Sequence, residues 1–265
     1  KMSEHKVEDE DDFRNDPVPD CFREYPSIKN LQPDSESLFA RARRTFLIEH
    51  KIDGANFSVL FDDLQQTTDA VKKTFFSRNR TIHDKFFNAK NVIFILNKLV
   101  VNDLITYFRE RGYSRVQLYG ELYGKGVQNR LDYPVPAGWM EAYKTFKLNG
   151  PYQFFKCFDI KYWDEESVAH FFLPQKFVDT ACEFNQLKKP SIEFFLNKNE
   201  YLLAPLTSFQ DIFEVVRGMC KSVAPNRSLP PDVDFWNFGQ KPPIEGVVFK
   251  SLKGDLCLKY VFPYM

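Results

Sequence analysis

In the segment Glu49-His50-Lys51-Ile52-Asp53-Gly54-Ala55-Asn56-Phe57-Ser58, a primary amine stands between two β-prone runs, Thr45 to His50 and Asn56 to Phe61, with Asp53-Gly54 supplying a turn. A lysine held rigidly at such a turn is a nucleophile for the α-phosphorus of a nucleoside triphosphate, once neighbouring cations or desolvation lower the pKa of its amine. Lys-x-Asp-Gly alone is weak support, because chance composition yields it in roughly one protein in ten or twenty of this size. An ordinary hairpin turn carrying a surface lysine would look the same.

The tetrad has company in a fixed order. Phe75-Phe76-Ser77-Arg78-Asn79-Arg80 follows, then Leu118-Tyr119-Gly120-Glu121-Leu122-Tyr123-Gly124-Lys125-Gly126-Val127-Gln128, then Phe155-Lys156-Cys157-Phe158-Asp159-Ile160. Glu245-Gly246-Val247-Val248-Phe249-Lys250 and Leu256-Cys257-Leu258-Lys259 close the series. Alternation on a regular strand puts Gln117, Tyr119 and Glu121 on one polar face, and Cys257 with Lys259 opposite Leu256 and Leu258. Lys250 falls, by the same parity, on the face opposite Glu245.

The elements that must position these groups are mixed. Lys72 to Arg78, Val116 to Leu122 and Gln153 to Ile160 read as strands; Gly246 to Lys250 and Asp255 to Val261 pair around Lys253-Gly254. Helical spacing runs from Asp84 to Arg111, where Gly112 stops it, and helices are expected over Ser37 to Arg44, Pro174 to Gln186 and Ser208 to Cys220. Phe22 to Leu31 reads as irregular. Several connections are too short for crossover helices, so the fold class is α+β with mainly antiparallel sheets flanked by helices. No period of 20 to 50 residues recurs, which excludes solenoids and propellers.

The chain has 265 residues, 43% of them apolar, and 28 phenylalanines against 11 glycines, a ring-rich composition that excludes disorder and low complexity. Its 36 basic and 36 acidic residues cancel, but residues 1–20 alone hold eight acids against three bases and contribute −5, leaving the remainder at about +5. Neutrality therefore does not exclude a polyanionic substrate. The acidic run with Pro17 and Pro19 reads as a solvated, flexible tail preceding a catalytic unit over residues 21–265. Cysteines 21, 157, 182, 220 and 257 contain no CxxC, and His5, His50, His83 and His170 have no ligand spacing, so buried thiols are expected rather than disulfides or a zinc site. No apolar run approaches the roughly 18 residues of a membrane span, so an intracellular protein without a membrane partner is expected.

Taken together, the ordered motifs resemble those of the covalent nucleotidyltransferases, the lysine-adenylating ligases and capping enzymes with an ATP-grasp-like ligase domain. Within that group the sequence looks like the T4 RNA ligase 2-type family, to which trypanosome RNA-editing ligases also belong. The likeness is closest over Tyr119 to Tyr133, includes Tyr25-Pro26-Ser27-Ile28-Lys29-Asn30, and spans roughly residues 22 to 262.

The resemblance implies ATP and a divalent cation, Mg²⁺ or Mn²⁺, as cofactors, and RNA with 5′-phosphate and 3′-hydroxyl ends as the partner. It implies Lys51 as the nucleophile that forms lysyl-AMP, Glu121 and Arg78 at the ribose hydroxyls, Phe158 stacked on adenine, Glu245 at the metal and Lys259 at the α-phosphate. Glu49, His50, Asp53, Gly54 and Lys250 complete the implied nucleotide pocket, and Asn56 matches a position tied to metal hydration and sealing. Arg41, Arg43, Arg44, Lys72, Lys73, Arg80 and Lys85 are candidates to track an RNA backbone.

Three positions depart from the family pattern. Asp53 stands where His is usual, Ala55 replaces a usual Thr, and Val261 occupies the place of a second lysine, for which Lys250 or Lys253 is a candidate substitute. Many relatives carry a further nucleic-acid-binding domain after the last motif; none is expected in this chain, which is either the catalytic part of a longer protein or borrows such a domain from a partner protein. A capping-type guanylyltransferase, a DNA ligase and a non-catalytic RNA-binding scaffold are the competing readings.

Overall fold

The computed structural model describes residues 22, 24–25, 27–32, 44–67, 70–78, 80–82, 86–99, 105–106, 108–127, 137–163, 171–172, 201–206, 208–223, 245–251 and 256–262. The acidic tail, the helices expected over 37–44 and 174–186, and Arg41, Arg43, His83, Lys85, His170 and Lys253 lie outside those residues, and of Arg44 only the backbone is described.

Two five-stranded sheets form the framework. The first takes β1 (Lys29–Asn30), β10 (Cys257–Val261), β9 (Gly246–Ser251), β2 (Arg44–Lys51) and β8 (Tyr201–Leu206), in that spatial order. The second takes β4 (Lys72–Phe76), β3 (Ala55–Asp62), β5 (Arg115–Gly124), β6 (Gln153–Trp163) and β7 (Phe171–Phe172). Every ladder is antiparallel except that of β1 with β10, in keeping with the α+β expectation.

Alternation explains what each sheet buries. In the first, Phe46, Ile48, Val247, Phe249, Leu258 and Tyr260 form one apolar face, covered by Ile212, Val216 and Met219 of helix Phe209–Val223. Glu49 and Lys51 fall on the other face, as do Lys250 and Lys259, since Glu49 and Lys259 both oppose Val248 and Lys250 opposes Leu47 and Cys257. In the second sheet Phe57, Val59, Phe61, Val116, Leu118, Leu122, Phe155 and Cys157 pack with helices α1 (Lys90–Leu99) and α2 (Ala137–Thr145).

One alternative is excluded and one expectation needs correction. Lys51 to Gly54 is not the ordinary hairpin turn of the alternative reading: β2 and β3 belong to different sheets, and the tetrad is the crossing between them. The helix expected over 84–111 is interrupted, with a 3₁₀ turn at Phe86–Asn88 ahead of α1. Phe87 and Asn88 take positive φ values of 47° and 56°, which stops helical propagation there. The helix read over 208–220 and the strands flanking the tetrad match the structure closely.

Candidate active site

Because β2 and β3 diverge into separate sheets, the four residues joining them bring both polar faces together. Lys51 is the last residue of β2 and opposes Gly246 at the start of β9, so Glu245, immediately before that strand, is its neighbour. The Lys51 Nζ donates to Glu245 Oε2. The expectation of surrounding cations is thus replaced by an ion pair, and the β9/β10 pairing extends one step beyond Gly246, where Phe262 N donates to the Glu245 carbonyl at 3.0 Å.

Gly54 is required by close approach. A Cβ there would lie 2.2 Å from the Leu122 carbonyl oxygen and 2.8 Å from Glu121 Cγ, so the tetrad is pressed directly onto β5. That contact brings Glu121 within electrostatic reach of Lys51. Asn56 opposes Glu121 across the β3/β5 ladder, and Asp53 is buried. Burial raises the Glu121 pKa; the Glu245 and Asp53 carboxylates add to this, and against the pull of Lys51 and Arg78 the carboxyl is pushed up to about 8.

This surplus of acid is what a hard divalent cation neutralises. Among the described residues no three His, Cys, Asp or Glu side chains already converge at ligating distance. The carboxyl groups that could hold a cation here are those of Glu245, Glu121 and Asp53. Taking Glu245 as a ligand would release the Lys51 amine from its ion pair.

Phe158 owes its position to a β-bulge. The β5/β6 register runs Tyr119 with Asp159 and then Gly120 with Cys157, leaving Phe158 as the extra residue. Its ring meets the Tyr25 ring edge-on at a centroid distance of 5.0 Å, and Lys250 Nζ lies 5.5 Å from its centroid. The aromatic surface stands among charges rather than in the core.

Beside it is a cluster that motif order alone did not disclose. Lys250 Nζ lies 3.0 Å from Glu49 Oε2 and 3.6 Å from Asp159 Oδ2 and donates to the Phe158 carbonyl, while Tyr25 Oη donates to Asp159 Oδ2 at 3.0 Å. Burial works against the Lys250 ammonium, but Asp159 and Glu49 outweigh it and hold the amine well above the usual lysine range. Burial raises the Asp159 carboxyl despite Lys250, and pushes the Cys257 thiol up to about 11. Tyr25 and Asp159 stand in quoted motifs, but a contact between residues 134 apart in sequence has no local signal.

The remaining candidates are placed as follows. Lys259 is partly exposed on the Lys51 face of the first sheet, and Val261 shares that face. His50 opposes Val247 and so lies on the other face. Arg78 is largely exposed, 4.0 Å from Glu24, and is not in contact with Glu121. Lys72 and Lys73 lie on β4, an edge strand, and Arg80 is exposed just beyond it. Cys157 and Cys220 are buried and not joined in a disulfide.

Two mainly antiparallel sheets whose polar faces meet at a strand-end lysine, a glycine pressed on a neighbouring strand and a flanking carboxylate define a nucleotidyltransferase-type domain. A family model for RNA ligase matches residues 44–261, and the chain belongs to that family. No curated protein sequence matches it.

Among solved structures, a variant of Naegleria gruberi RNA ligase with ATP and manganese is 18% identical at a TM-score of 0.52, covering 92% of this chain and 57% of that one. An apo variant of the same organism's ligase gives 17% and 0.54, and the ligase with pyrophosphate 19% and 0.51, each with the same coverage of 92% and 57%. At these identities the likeness is one of fold, and the chain spans little more than half the length of those proteins. Among the described residues no helix is long and apolar enough to cross a membrane.

Proposed function

We propose that this chain is the catalytic unit of an ATP-dependent RNA ligase acting through a lysyl-AMP intermediate. One observation carries the reading: the Lys51 amine, at the crossing between the sheets, is paired with Glu245 and lies within the electrostatic reach of Glu121.

In the first step Lys51 Nζ, having lost its proton, attacks the α-phosphorus of ATP; the N–P bond forms as the bond to pyrophosphate breaks. An oxygen of an RNA 5′-phosphate then displaces the lysine, giving an RNA end capped by AMP. Last, a 3′-hydroxyl attacks that end, the phosphodiester forms and AMP leaves. Each step is a displacement at phosphorus, so the protein contributes position and charge compensation.

Lys51 supplies the nucleophile. Phe158 offers a flat face for the base, Glu121 a partner for the ribose hydroxyls, and Lys259 a fixed positive charge for the α-phosphate. Glu245, with Asp53 and Asn56 nearby, would hold Mg²⁺ or Mn²⁺, whose chemistry is neutralisation of developing phosphate charge. The presence of an ATP-bound family member among the structural neighbours supports adenine as the base.

The test is incubation with α-labelled ATP and Mg²⁺, followed by denaturing electrophoresis. A covalent adduct lost in Lys51→Ala is expected. An adduct formed with GTP but not ATP would replace ligation with cap-type guanylyl transfer, and no adduct with either would sink the enzymatic reading.

A further inference from the structure

We infer that the surface built by the Phe86–Asn88 turn, α1 and the loops at residues 125 and 146–152 binds single-stranded RNA, as an extension of the reactive cleft. The inference rests on RNA being the substrate and, Lys125 apart, it assigns residues that the quoted motifs do not include.

Three large rings are exposed among the described residues, Phe87, Phe94 and Tyr152, and all three lie in this region. Hydrogen bonds join their segments into one surface. Gln153 Nε2 donates to the carbonyls of Phe87 and Lys125, Lys125 N donates to Tyr152 O at 3.0 Å, and Asn91 Nδ2 donates to Asn149 O at 2.7 Å. The Phe94 ring meets Phe146 edge-on at 5.5 Å.

Sequence spacing on α1 adds a charge pattern. Lys90, Phe94 and Lys98 follow one another at intervals of four, and all are exposed, so a ring sits between two lysines along one helix face. Lys98 Nζ lies 5.9 Å from the Phe94 centroid. Over 86–99, 123–127 and 137–152 the chain holds five lysines and one carboxylate, Glu141. Among the described residues no carboxylate lies within ion-pair distance of those lysines.

Burying an apolar helix face explains Val92, Ile95 and Leu96, but not an outward phenylalanine between lysines. Phe87 is likewise presented at a cost: it and Asn88 both hold left-handed backbone, with Gln153 fastening the Phe87 carbonyl at 2.6 Å. Cations with no carboxylate partner among the described residues, interleaved with exposed rings, match a polyanion whose bases stack, which is single-stranded nucleic acid.

The surface borders the end of the second sheet nearest the tetrad. The last β5/β6 pair is Gly124 with Gln153, at the end of the second sheet where Gly54 presses on Leu122. Lys125 is three residues beyond Leu122, or about 10 Å along a strand. An RNA strand leaving Lys51 around that sheet end meets Lys125 and Tyr152 first, then Phe87 and the α1 stripe.

The experiment compares two variants of the full chain by fluorescence anisotropy with an oligouridylate of about 20 nucleotides, a length that spans several stacking sites. Replacing Phe87, Phe94 and Tyr152 together by serine is expected to weaken binding about 10-fold or more while leaving the salt dependence in place. Replacing Lys90, Lys125 and Lys147 by glutamine is expected to flatten the slope of log affinity against log salt by about 2. Adduct formation with ATP should persist in both.

An adduct together with RNA affinity within twofold of the unmodified chain would overturn this surface alone, as would an unmodified chain that charges with AMP yet does not bind the oligonucleotide. Competition by polyglutamate as strong as by RNA would assign the surface to an acidic protein instead. Absence of the ATP adduct in the unmodified chain would count against the ligase reading.

Discussion

Lys250 of the first sheet reaches across to Asp159 of the second, 3.6 Å away, while holding Glu49 of its own sheet at 3.0 Å. The ammonium is shielded, its side chain 12% exposed, with Asp159 at 8%. This single cation joins the strand that ends in Lys51 to the strand that carries Phe158. The proposed nucleophile and the proposed base platform belong to different sheets, so their separation is fixed by cross-sheet contacts of this kind rather than by either ladder.

Removing that cation leaves two buried carboxylates uncompensated. Lys250→Met is therefore expected to destabilise the fold by about 3–5 kcal/mol, the usual consequence of breaking one side of a buried pair. Asp159→Asn should cost less, since the amide oxygen still accepts from Tyr25 and Glu49 remains for Lys250. Urea denaturation of both variants checks the order, and an equal or reversed order would contradict the cluster as described.

The raised Glu121 pKa gives a pH dependence with a definite sign. Its carboxyl titrates near 4.5 when unfolded and at about 8 when folded, so between those values the folded chain binds more protons than the unfolded one. The Glu121 contribution is thus fully present below about pH 4.5 and is lost as pH rises toward and through 8. In Glu121→Gln that dependence should vanish, and the variant's stability relative to the unmodified chain should improve steadily from pH 5 to 8. Thermal melts across that range are the measurement; parallel curves would contradict a raised pKa.

How much was legible follows from which contacts are local. Strand alternation put Glu121 with Tyr119 and Lys259 with Cys257 on shared faces, because period-two geometry needs only neighbouring residues. Sheet membership is not local, so a hairpin stayed open as an alternative for the tetrad although β2 and β3 never pair. The bulge at Phe158 resets parity inside β6, moving the core positions from Phe155 and Cys157 to Ile160 and Tyr162. Tyr201–Leu206 escaped notice because Pro205 argues against a strand, yet proline is admissible on the edge strand that β8 is. Lysines on α1 and near α2 drew no attention because each is unremarkable until hydrogen bonds gather them with three exposed rings.

Gly54 tests whether positioning alone controls the chemistry. Alanine there sets a methyl 2.2 Å from the Leu122 carbonyl oxygen, so the Lys51 to Gly54 crossing must move off β5. A displacement near 1 Å of a reacting group costs about 100-fold in rate. Gly54→Ala is expected to remain folded by circular dichroism, since both sheets keep their ladders, while the rate of lysine adenylation falls about 100-fold. A rate within threefold of the unmodified chain would mean that the crossing tolerates displacement and that Gly54 is not a determinant of the nucleophile's position.

Lys259 and Val261 lie two residues apart on the face of β10 that Lys51 shares. Lys250 is committed to Glu49 and Asp159, leaving Lys259 as the cation of β10 with no carboxylate within ion-pair distance among the described residues. Losing a preorganised charge aimed at a developing phosphate charge costs about 100- to 1000-fold. Lys259→Ala should therefore lower adenylation by that factor with little change in urea stability, because a partly exposed, unpaired lysine contributes little to folding. Val261→Lys, which adds a second cation on the same face, should raise ATP affinity, and in the Lys259→Ala background should restore part of the rate. Rates of adduct formation at several ATP concentrations separate the two effects. No loss in Lys259→Ala, or no recovery on adding Lys at 261, would move the phosphate-binding role off this strand.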